Sequence, residues 1–137
     1  MQVSEKRGQR MMKPAKKKVL IVDDTEDIGD VLAVLFRLRG CETIQANDGR
    51  QAVDCAAKYA PDLVLMDICM PVMDGYQATR CIHDIPYLSC VPVVAMSSHW
   101  ERDWAARAIA AGCEECIEKP LETDRIDQII SRYVHDC

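Results

Sequence analysis

From Lys18 onward, short runs of β-branched and aliphatic residues alternate with segments whose apolar positions recur at helical spacing. The runs are Val19 to Val22, Glu42 to Gln45, Leu63 to Met66, Val93 to Met96, and Cys116 to Ile117. The first, third and fourth are apolar on both faces, as strands buried in a parallel sheet are, whereas Glu42 to Gln45 is amphipathic and belongs nearer an edge. Between the runs, Ile28, Val31, Leu32 and Leu35 follow an i, i+3, i+4, i+7 stripe, with Asp24 or Thr25 placed to cap its start and Gly40 to stop it. Asp48 with Gln51 resembles a capping box ahead of Ala52, Val53, Ala56 and Ala60. A third helix is expected from about Gly75 to His83, closed by Ile85-Pro86, and a fourth from about Glu101 to Ala111, stopped by Gly112. A fifth, opened by Thr123, puts Ile126, Ile129, Ile130 and Tyr133 on one buried stripe. Five strand and helix pairs predict an α/β fold, a doubly wound five-stranded parallel sheet with five helices on its two faces.

The chain has 137 residues, 49% of them apolar, which suits one domain with one continuous core. Its charge is uneven. Residues 1–18 hold seven Lys/Arg and one Glu, leaving ten basic and twenty-one acidic residues for the remainder, so a tail of +6 precedes a body of −11. An acidic body disfavours binding to nucleic-acid phosphates, which depends on Lys/Arg displacing counterions. Residues 1–17 therefore read as a basic, solvated, disordered leader and residues 18–135 as the folded domain. The longest apolar run, Val31 to Phe36, is far short of the roughly 20 residues of a membrane span, and no signal-peptide pattern opens the chain, so a cytoplasmic location is expected. Eight cysteines are scattered through apolar stretches and read as reduced core residues; Cys113 and Cys116 form one close pair without a second pair to complete a zinc site.

The polar residues that end the strand runs gather the chemistry. The first run ends in Asp23-Asp24, the third in Asp67, the fourth in Ser97-Ser98, and the last in Glu118-Lys119-Pro120. In an open α/β sheet the carboxyl ends of the strands form the ligand-binding edge, so these groups should meet there. Two carboxylates about 5 Å apart repel by roughly 3 kcal/mol at an effective dielectric near 20, and three call for a cation beyond the single Lys119. Carboxylate oxygens with positions left for water suit Mg²⁺, with Mn²⁺ as a substitute. With a cation present Asp67 can stay ionised and attack phosphorus, while Lys119 neutralises the equatorial oxygens and Ser97 donates a hydrogen bond to the product.

The segments V-L-I-V-D-D (19–24), D-L-V-L-M-D-I-C-M-P-V-M-D-G (62–75), P-V-V-A-M-S-S (92–98) and E-K-P (118–120) resemble the response-regulator receiver family, in that order and spacing, over about Lys17 to Val134. The resemblance implies a flavodoxin-like sheet in strand order 2-1-3-4-5. It implies that Asp67 is the phosphoacceptor, and that Asp24, Asp67 and the backbone carbonyl of Cys69 ligate Mg²⁺, with Asp23 acting directly or through water. It makes Ser97 the hydroxyl switch and Lys119 the phosphate contact, with a cis Lys119-Pro120 bond. The donor it implies is a phosphohistidine on a sensor histidine kinase or a histidine phosphotransfer protein. The chain would then be no enzyme beyond self-catalysed phosphotransfer and slow loss of its own acyl phosphate.

One position departs from the family, which often has Tyr or Phe three residues before the lysine, where this chain has Cys116. The family positions that tune acyl-phosphate lifetime are Cys69 and His99 here. Only three or four residues follow the fifth helical pattern, leaving no room for a DNA-binding or effector domain. Output is then expected by protein contact through helix 4, strand 5 and helix 5, by phosphorylation-linked homodimerisation, or by relay to a second phosphotransfer protein. Trp100 and Trp104, one turn apart, fit either packing on the sheet or an exposed docking patch, and His83 and His135 read as surface residues. The competing reading is an unphosphorylated docking module that keeps the fold alone. A flavodoxin-like cofactor binder is disfavoured, because Asp23-Asp24 puts two negative charges where a phosphate-binding loop needs backbone amides.

Overall fold

A computed structural model describes residues 16–70, 72–98 and 103–134. Residues 1–15, most of the expected leader, lie outside the described residues, as do His99, Trp100, Glu101, Arg102 and His135. The elements run β1 (Lys18–Val22), α1 (Glu26–Leu38), β2 (Glu42–Ala46), α2 (Gly49–Tyr59), β3 (Leu63–Asp67) and α3 (Gly75–His83). A short 3₁₀ turn (Pro86–Leu88) follows, then β4 (Val93–Ser97), α4 (Trp104–Ala111), β5 (Glu115–Glu118) and α5 (Thr123–Tyr133). All strand pairs are parallel, in the order β2-β1-β3-β4-β5, as the sequence and the resemblance predict.

The three central strands, β1, β3 and β4, are apolar on both faces, and each feeds two cores. Leu20, Val22, Val64, Met66, Val93 and Ala95 face the layer of α2, α3 and α4, while Val19, Ile21, Leu63, Leu65, Val94 and Met96 face α1 and α5. β3 and β4 are buried along their whole length, and β2, at the edge, keeps Glu42 and Gln45 exposed. The helix signals act locally. The Asp48 carboxylate accepts from Gln51 N (2.8 Å) while the Gln51 side chain accepts from Asn47 N (3.0 Å), a reciprocal cap close to the expected box. Ala60 caps α2 in the left-handed region (φ 47) rather than joining its buried stripe. Gly112 ends α4 at φ 115.

The inward face of α1 lies one position beyond the stripe its sequence predicts. On α1 the buried stripe is Gly29, Leu32, Ala33 and Phe36, and Ile28 and Val31 stand 40% and 59% exposed. Two apolar stripes compete for the sheet on this helix. The one with Phe36 prevails because its ring is the largest apolar side chain available and Gly29 and Ala33 allow close approach; a Cβ on Gly29 would already meet Gln45 Oε1 at 3.1 Å. Leu35 is left partly buried at the margin of that core. The fourth helix begins at Trp104, with Asp103 at its N-cap position.

Candidate functional site

The parallel register decides what can meet. Val22 pairs with Met66 and with Ala46, Asp67 with Met96, and Ser97 with Glu118, so the residues that end β1, β3, β4 and β5 emerge on one rim. There one carboxylate oxygen each from Asp23, Asp24 and Asp67 lies within 4.8 Å of the others. Asp23 and Asp67 are only 2% and 4% exposed, and Asp24 is open to solvent. Lys119 Nζ donates to Asp23 Oδ2 (2.6 Å) and to Asp67 Oδ2 (3.3 Å). Its loop is tied to β4, since Lys119 N donates to Ser97 O (3.0 Å), and the Lys119-Pro120 peptide bond is cis. The remaining carboxylate oxygens are held by the backbone: Thr25 N donates to Asp23 Oδ1 (2.8 Å) and Cys69 N to Asp67 Oδ1 (3.1 Å).

Two buried carboxylates, a third at the mouth and one ammonium leave excess negative charge. Burial, opposed by Lys119 and reinforced by Asp23, pushes the Asp67 carboxyl up to about 6 from the 3.8 of a free aspartate. Burial works against the Lys119 ammonium too, but the Asp23 and Asp67 carboxylates outweigh it and its pKa is raised. At the spacing of this trio each carboxylate pair repels by about 3 kcal/mol at an effective dielectric near 20. Three oxygens of this kind with one side open to water fit a small divalent cation.

The loop after Asp67 is shaped by contact. Gly75 N donates to Ile68 O (3.1 Å), and a Cβ on Gly75 would stand 2.5 Å from Asp67 O, so only glycine lets α3 start against the end of β3. Asp74 caps that helix, its carboxylate accepting from Gln77 N (2.9 Å). Ser97 is buried (2% exposed), with its Oγ 3.9 Å from Cys69 Sγ.

Asp23, Asp24, Asp67, Ser97 and Lys119, the polar residues that follow or end the strand runs, therefore lie together at this rim. What the sequence did not reveal is the apolar wall beside it. A cleft of about 640 Å³ joins Asp24, Asp67 and Lys119 to Ile28, Val31 and Leu121. Its only advance signal was the second apolar stripe of α1. Of the side residues, Trp104 is buried against the core, which favours packing over exposed docking for that ring. His83 is half-buried rather than superficial, with Nε2 2.9 Å from Val91 O. Cys113 is a core thiol, pushed up to about 11 by burial and 3.7 Å from Thr79 Oγ1. Cys116 is half-buried, its thiol donating to Ala105 O (3.5 Å). No helix of the described residues is long and apolar enough to cross a membrane.

Comparison with known proteins agrees with this geometry. The family model for the response regulator receiver domain matches residues 19–131. Polar-differentiation response regulator DivK of Brucella anthropi is 34% identical over 121 residues, 88% of this chain and 98% of that protein. Regulatory protein AtoC of Escherichia coli is 36% identical over 115 residues, 84% of this chain; the chain spans only 24% of that longer relative. The receiver domain of sensor histidine kinase PA1611 from Pseudomonas aeruginosa, solved with a magnesium ion coordinated in its active-site cleft, superposes with a TM-score of 0.80 at 29% identity, covering 87% of this chain and 98% of that one. Sheet order, acidic rim and family match agree: the chain belongs to the response regulator receiver domain family, the phosphoacceptor switches of two-component signalling.

Proposed function

We propose that Asp67 is the residue that carries the phosphoryl group, in a reaction that needs a divalent cation. The observation that carries this reading is the meeting of three carboxylates within 4.8 Å, two of them buried, opposite Lys119 Nζ. Asp23, Asp24 and Asp67 would hold Mg²⁺, or Mn²⁺ in its place, with the backbone carbonyl of Cys69 as a further ligand; the bound ion supplies charge neutralisation for the transferring group. The chain's own residues supply the rest. Asp67, whose ionised form Lys119 and a bound cation would favour, presents a carboxylate oxygen to phosphorus; the new O–P bond forms as the N–P bond of a phosphohistidine breaks, and the imidazole leaves with that electron pair. Lys119 stands where it neutralises an equatorial phosphoryl oxygen, since it already spans Asp23 and Asp67. The Ser97 hydroxyl, on the strand paired with β3, would donate to the acyl phosphate and carry the change toward α4, a reading its register beside Asp67 supports.

The donor in this reading is a sensor histidine kinase or a histidine phosphotransfer protein. Output is by protein contact through α4, β5 and α5, where an open groove of about 1060 Å³ runs past Trp104, Glu118, Pro120 and Arg125, or by a phosphorylation-linked homodimer. The folded unit is residues 18–135 with a basic leader before it, in the cytoplasm, and its chemistry is confined to taking up and losing its own phosphoryl group. Incubation with acetyl phosphate and Mg²⁺ followed by intact-mass measurement tests the assignment. The native chain should gain one phosphoryl mass, and Asp67→Asn or added EDTA should abolish the gain. A native chain that never gains it, or an Asp67→Asn chain that still does, refutes the assignment.

A further inference from the structure

Beyond the sheet, one side chain bridges α3 and the fourth helix. Tyr76 is the second residue of α3, directly after Gly75, whose backbone is pressed against Asp67 O. Its ring is 6% exposed and lies under the Arg107 guanidinium, 4.3 Å from ring centroid to Cζ, and its hydroxyl donates to Trp104 O at a long 3.4 Å. Trp104 and Arg107 both belong to α4, the element the chain reaches next after Ser97. A cleft of about 200 Å³, open to solvent, lies among Tyr76, Trp104, Arg107, Ser97 and Cys69, so side chains that line it can rearrange without displacing the core. Cys116 lines the separate groove outside β5 instead, and its side chain ends at a sulfur held by Ala105 O.

We propose that Tyr76 is a positioning residue that holds the first turn of α4, through Trp104 O and Arg107, in the arrangement of the unphosphorylated protein, and yields when Ser97 is drawn toward a phosphoryl group on Asp67. This rests on Asp67 as the acceptor. The mechanical argument is short. Asp67 and Ser97 end adjacent paired strands, so a pull on the Ser97 hydroxyl shifts the end of β4 relative to α3, which stays anchored at Gly75 and Ile68. The displacement is borne by the contacts that join α3 to the start of α4, among them the long hydroxyl bond and the stacked guanidinium. Each is weak enough to break and reform: a neutral hydrogen bond shifts a two-state balance by about two- to tenfold, the scale on which a switch is set.

The test uses the full chain carrying Trp100→Phe, which leaves Trp104 as the one tryptophan of the two in the sequence. Acetyl phosphate with Mg²⁺ should shift Trp104 emission in step with the gain of phosphoryl mass. Adding Tyr76→Phe, which keeps the ring and removes the hydroxyl, should move the emission of the unphosphorylated chain part of the way toward its phosphorylated value, a change of about two- to tenfold in the balance of the two states. Phosphoryl uptake should persist. Arg107→Gln, at an exposed position, should act in the same direction, and it decides the matter if Tyr76→Phe does not fold. The proposal is overturned if the phosphorylated mass appears without any change in Trp104 emission. It is overturned equally if both variants leave the unphosphorylated emission at its native value. Absence of the phosphoryl mass in the native chain refutes instead the assignment of Asp67, and this inference with it.

Discussion

Removing the charge of Asp67 should make the metal-free protein more stable. An aspartate held at about 6 in the folded state and 3.8 in the unfolded chain resists ionisation in the fold, which corresponds to about 3 kcal/mol at about 1.4 kcal/mol per pH unit. Asparagine at this position keeps an acceptor for Cys69 N but meets Lys119 with a weaker partner, so the net gain of Asp67→Asn in EDTA at about pH 8 should be nearer 1–3 kcal/mol, or about 5–10 °C in Tm. The pH dependence carries the sign. Between 3.8 and about 6 the folded protein binds more protons than the unfolded chain, so the native protein loses stability as pH rises through that window and levels off above it. The neutral asparagine has no such loss, and the gap between the two proteins should close as pH falls from about 7 to about 4. Saturating Mg²⁺ should reverse the order, stabilising the native protein by about 2.7 kcal/mol at one hundred times its dissociation constant and leaving Asp67→Asn nearly unmoved. Thermal unfolding followed by circular dichroism, with EDTA and with Mg²⁺ across this pH range, measures every term. An Asp67→Asn protein less stable than native in EDTA at about pH 8, or a gap indifferent to pH, refutes the view of the rim as a charge cluster awaiting a cation.

Lys119→Met should separate two effects of the ammonium: without metal it leaves Asp23 and Asp67 facing each other, at a cost of about 3 kcal/mol in denaturant unfolding, while Mg²⁺ binding by calorimetry should tighten by about tenfold because a competing cation is gone. Val72, 86% exposed at φ 71, holds a β-branched residue in the left-handed region at about 1–3 kcal/mol, of which glycine's chain entropy takes about 1 kcal/mol back, so Val72→Gly should stabilise by about 1 kcal/mol in urea unfolding. Phe36→Ala should cost about 3–5 kcal/mol, against under about 1 kcal/mol for Val31→Ala, and equal losses would overturn the assignment of the inward face of α1.

Strands were legible because the apolar runs of a doubly covered parallel sheet have few competing readings. Each strand core read from the sequence lies inside an observed strand, which extends one residue or two beyond it, as β3 does to Asp67 and β4 to Ser97. The rim was legible for a related reason: when polar residues end successive apolar strands, the fold has one place to put them. The face of α1 was not legible, because Ile28, Val31 and Leu35 form as good a helical stripe as Leu32, Ala33 and Phe36, and only the shape of the sheet beneath chooses between them. The bridge from Tyr76 to Trp104 and Arg107 was hidden too, since its partners sit about thirty residues apart on different helices and carry no local pattern.

The ladder between β3 and β4 has a consequence for how such a chain tolerates change. Because Asp67 is paired with Met96 by backbone hydrogen bonding, the offset between the Asp67 carboxylate and the Ser97 hydroxyl is independent of how many residues connect the two strands. Insertions around the 3₁₀ turn at Pro86–Leu88 would lengthen a distant loop and leave that offset intact. One residue gained or lost within β4 would instead turn Ser97 to the opposite side of the sheet, carrying its hydroxyl away from the rim while leaving Asp67 where it is.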